Sequence, residues 1–152
     1  MSERDAETIQ RIQEFQGQTR ECALQMTMNA VYIQKELPNV RMSDELRERT
    51  AGLCTDLIGT QHDLIHEIFE LDEVLEKDAS NAEVLRRIER MAQWAWDDAL
   101  KMHEIVKALE AESGKDVMKV GAYLLVSESA VNILKPLKQM RRSVEQLKAA
   151  LA

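Results

Sequence analysis

Apolar residues recur three and four positions apart along the chain, and this spacing breaks three times. The breaks fall at Pro38-Asn39, at residues 77–81 and at Ser113-Gly114. Proline and glycine end helices, and Ser43 and Ser80 are N-cap candidates just after the first two breaks. The pattern predicts four long helices at about residues 3–37, 44–77, 81–112 and 116–151, in one domain of residues 1–152.

Four helices of similar length with short links fold most simply as an antiparallel, up-down-up-down four-helix bundle, an all-α architecture. The fourth helix keeps a heptad spacing of apolar residues from Tyr123 to Leu151, as coiled coils do. Pro136 lacks the N–H that would bond the carbonyl of Asn132. Because the apolar seam continues in register past it, we predict a kink near Pro136 and one continuous helix.

The first and fourth helices each carry a second apolar line, opposite the line that faces the core. The turns are expected near residues 40, 79 and 114. Residue i of the first helix should then lie at the same height in the bundle as residue 80 − i of the second helix, 78 + i of the third and 150 − i of the fourth. Both second lines then lie at the same end of the bundle, beside a strip of small residues on the second helix (Gly52, Thr55 and Gly59). The residues of the two lines are Leu24, Met28, Val31, Val117, Val120, Leu124 and Val131.

An apolar patch of this kind on a helical bundle is typical of a contact surface. We therefore expect these residues to form an interface, either in a homodimer or higher homo-oligomer or with a helical partner protein. The alternative is that one of these helices is central, so that its second apolar line is simply core.

The composition excludes several classes of partner. The chain has 152 residues and a net charge of −7, which disfavours binding to nucleic-acid phosphates. The longest uncharged run, Cys22 to Gln34, is too short to cross a membrane, and the polar N-terminus MSERDAET predicts no signal peptide. Cys22 and Cys54 fall on apolar helix faces, so we expect reduced, unpaired thiols in a cytoplasmic protein.

Polar and aromatic residues also fall on or beside the core lines near mid-height. One interpretation is a polar layer that fixes the register of the helices, and the other is a small-ligand pocket between them. The residues concerned are Thr19, Gln61, Asp98, Asn132, Trp94 and Trp96.

His62, His66 and Glu70 stand four residues apart, a spacing that can present metal ligands on one helix face. They lie away from the core line of their helix, and His103 is expected about 10 Å higher. We therefore expect surface histidines, with no metal and no cofactor. No nucleophile, acid–base set or phosphate-binding glycine loop can be assembled, so the sequence predicts a non-enzymatic interaction module. The alternative is a sensor-like bundle that binds a small ligand or a metal.

In general character the chain also resembles secretion and flagellar export chaperones, which are small, acidic, all-helical proteins with an apolar groove. It shares no motif with them, so the likeness implies a partner-binding role only by analogy of fold.

Overall fold

The fold is all-α and consists of four long helices. A computed structural model describes the backbone of residues 4–40, 42–113 and 120–152, and the side chains of these residues outside 112–131. The helices are α1 (Ala6–Glu36), α2 (Asp44–Glu76), α3 (Asn81–Ser113) and α4 (Val120–Leu151), and a short 3₁₀ turn (Leu37–Asn39) follows α1. The predicted fold class is confirmed. The start expected for the fourth helix, near residue 116, lies outside the described residues.

Side-chain caps fix where the first three helices begin. The hydroxyls of Ser43 and Ser80 each accept a hydrogen bond, at 3.2 Å, from the backbone N–H three residues on, which confirms both expected caps. The carboxylate of Asp5 accepts from the N–H of Thr8 at 2.7 Å. A capping residue stands outside the helix that it caps, so α1 begins at Ala6, three residues after the start expected near residue 3.

The helices pack as a bundle in which α1 lies against α2 and α4, and α3 lies against the same two helices. Consequently α2 and α4 lie across the bundle from each other. The core between them is built from the inward lines of the helices. Its largest fully buried side chains are Ile12, Phe15, Met26, Ile33, Leu57, Leu64, Ile68, Leu71, Ile88, Met91, Met102 and Leu109.

Polar cross-links join neighbouring helices along their length. Between α1 and α2, the amide of Gln16 donates to Asp72 and the amide of Gln34 donates to Thr55, both at 2.7 Å. Residue numbers rise along one helix as they fall along the other, which fits antiparallel neighbours. The up-down-up-down order of the whole bundle stays a prediction.

The register between α2 and α3 was expected to place Thr60 level with Asp98, and their hydrogen bond of 2.8 Å confirms it. The same two helices are joined further along by an ion pair of 2.6 Å between Arg90 and Glu67. Arg87 lies 3.9 Å from Glu67 and 3.6 Å from Glu70. The α2–α3 register is therefore held by charged contacts as well as by the core.

The register of α4 differs from the expectation. Gln18 and Trp96 were both expected level with residue 132. Instead, the hydroxyl of Ser143 donates to Gln18 at 2.8 Å, and the Arg141 guanidinium lies 4.1 Å from the Trp96 ring centre. The register of α4 is therefore shifted by nine to eleven residues from the expectation.

This shift corrects one pairing. Leu24, Met28 and Val31 were expected beside residues 126, 122 and 119 of the fourth helix. By the contact of Gln18 with Ser143 they lie level with roughly residues 130–137. Of the second apolar line, Val131 falls within that range, whereas Val120 and Leu124 lie beyond it, toward the C-terminal end of α1.

Pro136 lies inside α4, and the helix continues through it. The prediction of one continuous helix is confirmed, and the kink stays a prediction.

Three glycines inside the helices, Gly17, Gly52 and Gly59, have room for a side chain: a Cβ on any of them would meet no atom within 4 Å. Glycine in a helix interior costs about 0.5–1 kcal/mol relative to alanine. We expect Gly17→Ala, Gly52→Ala and Gly59→Ala each to raise the free energy of unfolding by that amount in urea titrations of the isolated chain. A loss of stability at any of the three would show that the glycine is required by the fold.

Candidate functional site

The outward apolar line of α1 is exposed to solvent. Leu24, Met28 and Val31 have exposed fractions of 50%, 63% and 49%. By contrast, Met26 and Ala30 on the core line of the same helix are fully buried. In the single chain, therefore, these three side chains are surface and not core. We call them the α1 apolar face.

The counterpart on the fourth helix cannot be placed in the same way. Val117 lies outside the described residues, and so do the side chains of Val120, Leu124 and Val131. α1 packs against both α4 and α2, and the described side chains of α2 include the strip of small residues. The hydrogen bond from Gln34 to Thr55 sets the strip of Gly52, Thr55 and Gly59 level with about residues 29–37 of α1, at the Val31 end of the face. An apolar ridge thus borders a strip with little side-chain bulk.

The core contains a polar cluster centred on Asp98, whose exposed fraction is 2%. Its carboxylate accepts hydrogen bonds from Gln61 Nε2 at 2.5 Å and from Thr60 Oγ1 at 2.8 Å. The ammonium of Lys101 lies 3.7 Å from the other carboxylate oxygen. Gln61 Oε1 is buried with no hydrogen-bond partner among the described residues. These contacts tie α2 to α3, as a layer that fixes register would do.

The other residues expected in a mid-height pocket are dispersed. Thr19 is buried, and its hydroxyl donates to the carbonyl of Phe15 within its own helix, at 2.8 Å. Trp94 is half-buried and lines an open cleft beside Asp98, whereas Trp96 lies on the side of α3 that faces α4. Asn132 is exposed. The structure therefore brings together Gln61, Asp98 and Trp94 but not the whole set.

Sequence reasoning missed Thr60 and Lys101, which complete the cluster, because they stand at the border between the core line and the surface.

It also missed an apolar cleft of about 320 Å³ between α3 and α4. Leu100 and Leu134 stand at its rim with exposed fractions of 49% and 47%. The cleft is lined by Trp96, Ala99, Leu100, Met102, His103, Ile133, Leu134 and Leu137.

The histidines lie on the surface, as expected. His62 and His66 are exposed, and their ring centres are 4.9 Å apart on the outer side of α2. Glu70, the third member of that spacing, lies 3.6 Å from Arg87 of α3. Within the described parts of the chain, no group of three or more histidine, cysteine or acidic side chains could hold a metal ion.

Cys22 and Cys54 are free thiols buried in the core. Burial raises the pKa of Cys22 to about 12, with a further contribution from the Asp98 carboxylate, and burial raises the pKa of Cys54 to about 11. Because the unfolded thiols ionise first, stability should fall as the pH rises from about 9 through these folded pKa values.

The raised pKa values also predict slow chemical labelling, because the thiolate is the reactive form. At pH 8 both thiols should react with Ellman's reagent at least about 100-fold more slowly in the folded protein than in denaturant. The labelling rates with and without urea measure this ratio. Equal rates in the two states would contradict the burial of the thiols.

No family model, curated protein or solved structure matches the chain. Among the helices that the structure describes, none is both long and apolar enough to span a bilayer.

Proposed function

We propose that this protein is a non-enzymatic, cytoplasmic interaction module that self-associates or binds a partner helix. The contact surface is the α1 apolar face, extended by the part of the fourth helix's second apolar line that lies at the same height, Val131. The observation that carries the proposal is the exposure of Leu24, Met28 and Val31 in the single chain, together on one helix. Three large apolar side chains on one exposed face are what an amphipathic partner helix would cover.

The α1 apolar face alone is too small to hold two molecules together. Burying the exposed half of each side chain would contribute roughly 1 kcal/mol, and association must first offset the loss of translational and rotational freedom. A lasting interface therefore recruits neighbouring surface. The strip of Gly52, Thr55 and Gly59 on α2 supports this, since a partner backbone could approach it closely. Beyond the adjoining backbone of α2 itself, no atom lies within 4 Å of where a Cβ on either glycine would stand.

The test is the oligomeric state of the whole chain, by light scattering over a range of concentrations, with Met28→Glu as the variant. We expect the unmodified protein to form a dimer or larger species and Met28→Glu to shift it to smaller species, because a carboxylate would be buried at the contact. Gln10→Glu, the same gain of charge on the exposed side of α1 but outside the face, is the matched control and should remain associated.

Circular dichroism shows whether Met28→Glu is folded. We expect it to be folded, because the Met28 side chain is 63% exposed and can be changed without disturbing the core. If Met28→Glu unfolds the chain, the α1 apolar face belongs to the core and the proposal fails. The self-association form of the proposal also fails if the unmodified protein is monomeric throughout.

A further inference from the structure

Charge is unequally divided between two helices on opposite sides of the bundle. α2 contains ten acidic residues and two arginines, a net charge of −8, whereas α4 contains five basic and two acidic residues, a net charge of +3. Since α2 and α4 lie across the bundle from each other, the molecule has an acidic side and a basic side. Two copies oriented in the same way would present opposite charges to each other.

On each of these helices an exposed apolar side chain is followed by two charged residues at the same spacing. On α2, Phe69 is 55% exposed and is followed by Glu73 and Glu76, four and seven residues on. We call these three residues the α2 stripe. Residues spaced by four and seven share one helix face, and all three are exposed.

On α4, Leu134 is 47% exposed and is followed at the same spacing by Lys138 and Arg141. We call these three the α4 stripe. Arg141 is held in place by its stacking on Trp96, at 4.1 Å from the ring centre. Leu134 and Leu100 form the rim of the apolar cleft of about 320 Å³ between α3 and α4, which is open to solvent beside the basic charges. The cleft could therefore bind an aromatic side chain through apolar contacts.

We propose that the α2 stripe of one copy of the chain binds along the α4 stripe of a second copy. The helices then run parallel, so that Phe69 enters the cleft at Leu134 while Glu73 meets Lys138 and Glu76 meets Arg141. The contact is heterologous, because the two surfaces differ. Repetition of the contact from copy to copy assembles a ring or a linear chain of molecules. This contact does not use the α1 apolar face, so it can be tested independently of the proposed function.

The proposal is tested by charge reversal at one predicted pair. Glu73→Lys and Lys138→Glu should each weaken self-association about tenfold, because a like-charged pair replaces an opposite one at the contact. The chain that carries both reversals should regain association, and so should an equimolar mixture of the two single variants. Sedimentation velocity of the full chain at low ionic strength measures this. Glu48→Lys, an exposed position on α2 outside the stripe, is the matched control.

Two further measurements separate this contact from others. Raised salt should weaken it, since the exposed ion pairs are screened, and Phe69→Ser should weaken it without a change in charge. Recovery of association in the doubly reversed chain would support the proposal. A doubly reversed chain no better associated than the single variants, with normal helicity, would overturn it. If Met28→Glu weakens association and Lys138→Glu does not, the contact between the stripes is overturned and the proposed function stands. If Lys138→Glu weakens association and Met28→Glu does not, the contact between the stripes stands and the self-association form of the proposed function is overturned.

Discussion

Replacing Phe15 by alanine should lower the free energy of unfolding by about 4 kcal/mol, whereas the same change at Phe69 should cost less than about 1 kcal/mol. These are the only two phenylalanines in the chain, so residue type is held constant. Phe15 is fully buried in the core and Phe69 is 55% exposed on α2. Removing the buried ring loses its apolar contacts and leaves a cavity, and removing the exposed ring does neither.

The measurement is urea unfolding followed by circular dichroism, at a protein concentration low enough for the chain to be monomeric. At higher concentration the stability of an oligomer would add to that of the chain. Equal losses for the two variants would contradict the placement of α1 and α2 in the bundle. A large loss at Phe69 alone would mean that the outer side of α2 is core.

Replacing Asp98 by alanine should cost about 2 kcal/mol, the second largest loss that we expect. The Asp98 carboxylate accepts from Gln61 and Thr60, and the Gln61 side chain is fully buried. Without the carboxylate, the Gln61 amide N–H groups lose their acceptor in the core. Gln61 Oε1 already has no hydrogen-bond partner among the described residues, so the loss of the carboxylate would leave both ends of the amide unpaired.

The matched control is Asp98→Asn, whose amide oxygen still accepts from Gln61 and Thr60 and should cost less than Asp98→Ala. A second comparison replaces both Asp98 and Gln61 by leucine. Since paired removal of buried polar groups leaves none unsatisfied, that double variant should be more stable than Asp98→Ala. A double variant less stable than Asp98→Ala would contradict a cluster that acts through hydrogen bonding.

The helices and most of the core could be predicted from the sequence because burial imposes a strict periodicity. The inward lines of α1 to α3 and the serine caps follow from local rules that need no knowledge of the fold. The register of α2 on α3 also followed, because the break at residues 77–81 is short and fixes both helix ends. The register of α4 could not be predicted in this way. The contact of Ser143 with Gln18, which sets this register, is visible only in three dimensions.

The candidate surface could be predicted only in part, for a related reason. Leu24, Met28 and Val31 lie opposite a well-defined core line, so periodicity alone places them outside. Gln61 and Asp98 fall on core lines and were predicted together. The cleft between α3 and α4 could not be predicted, because Leu100 and Leu134 each look like isolated surface residues in sequence. They become one feature only when the two helices are set side by side.

The most direct test of the central claim, that the α1 apolar face is covered when the protein assembles, is the rate at which Met28 is oxidised by hydrogen peroxide. Mass spectrometry of peptides can follow Met28 together with the buried Met91 as an internal reference. Val31→Glu, which disrupts the face without changing Met28, supplies the uncovered state. The account predicts that Met28 is oxidised several-fold more slowly in the unmodified protein than in the variant, and more slowly as concentration rises. Equal, rapid oxidation of Met28 in both proteins at every concentration would contradict it.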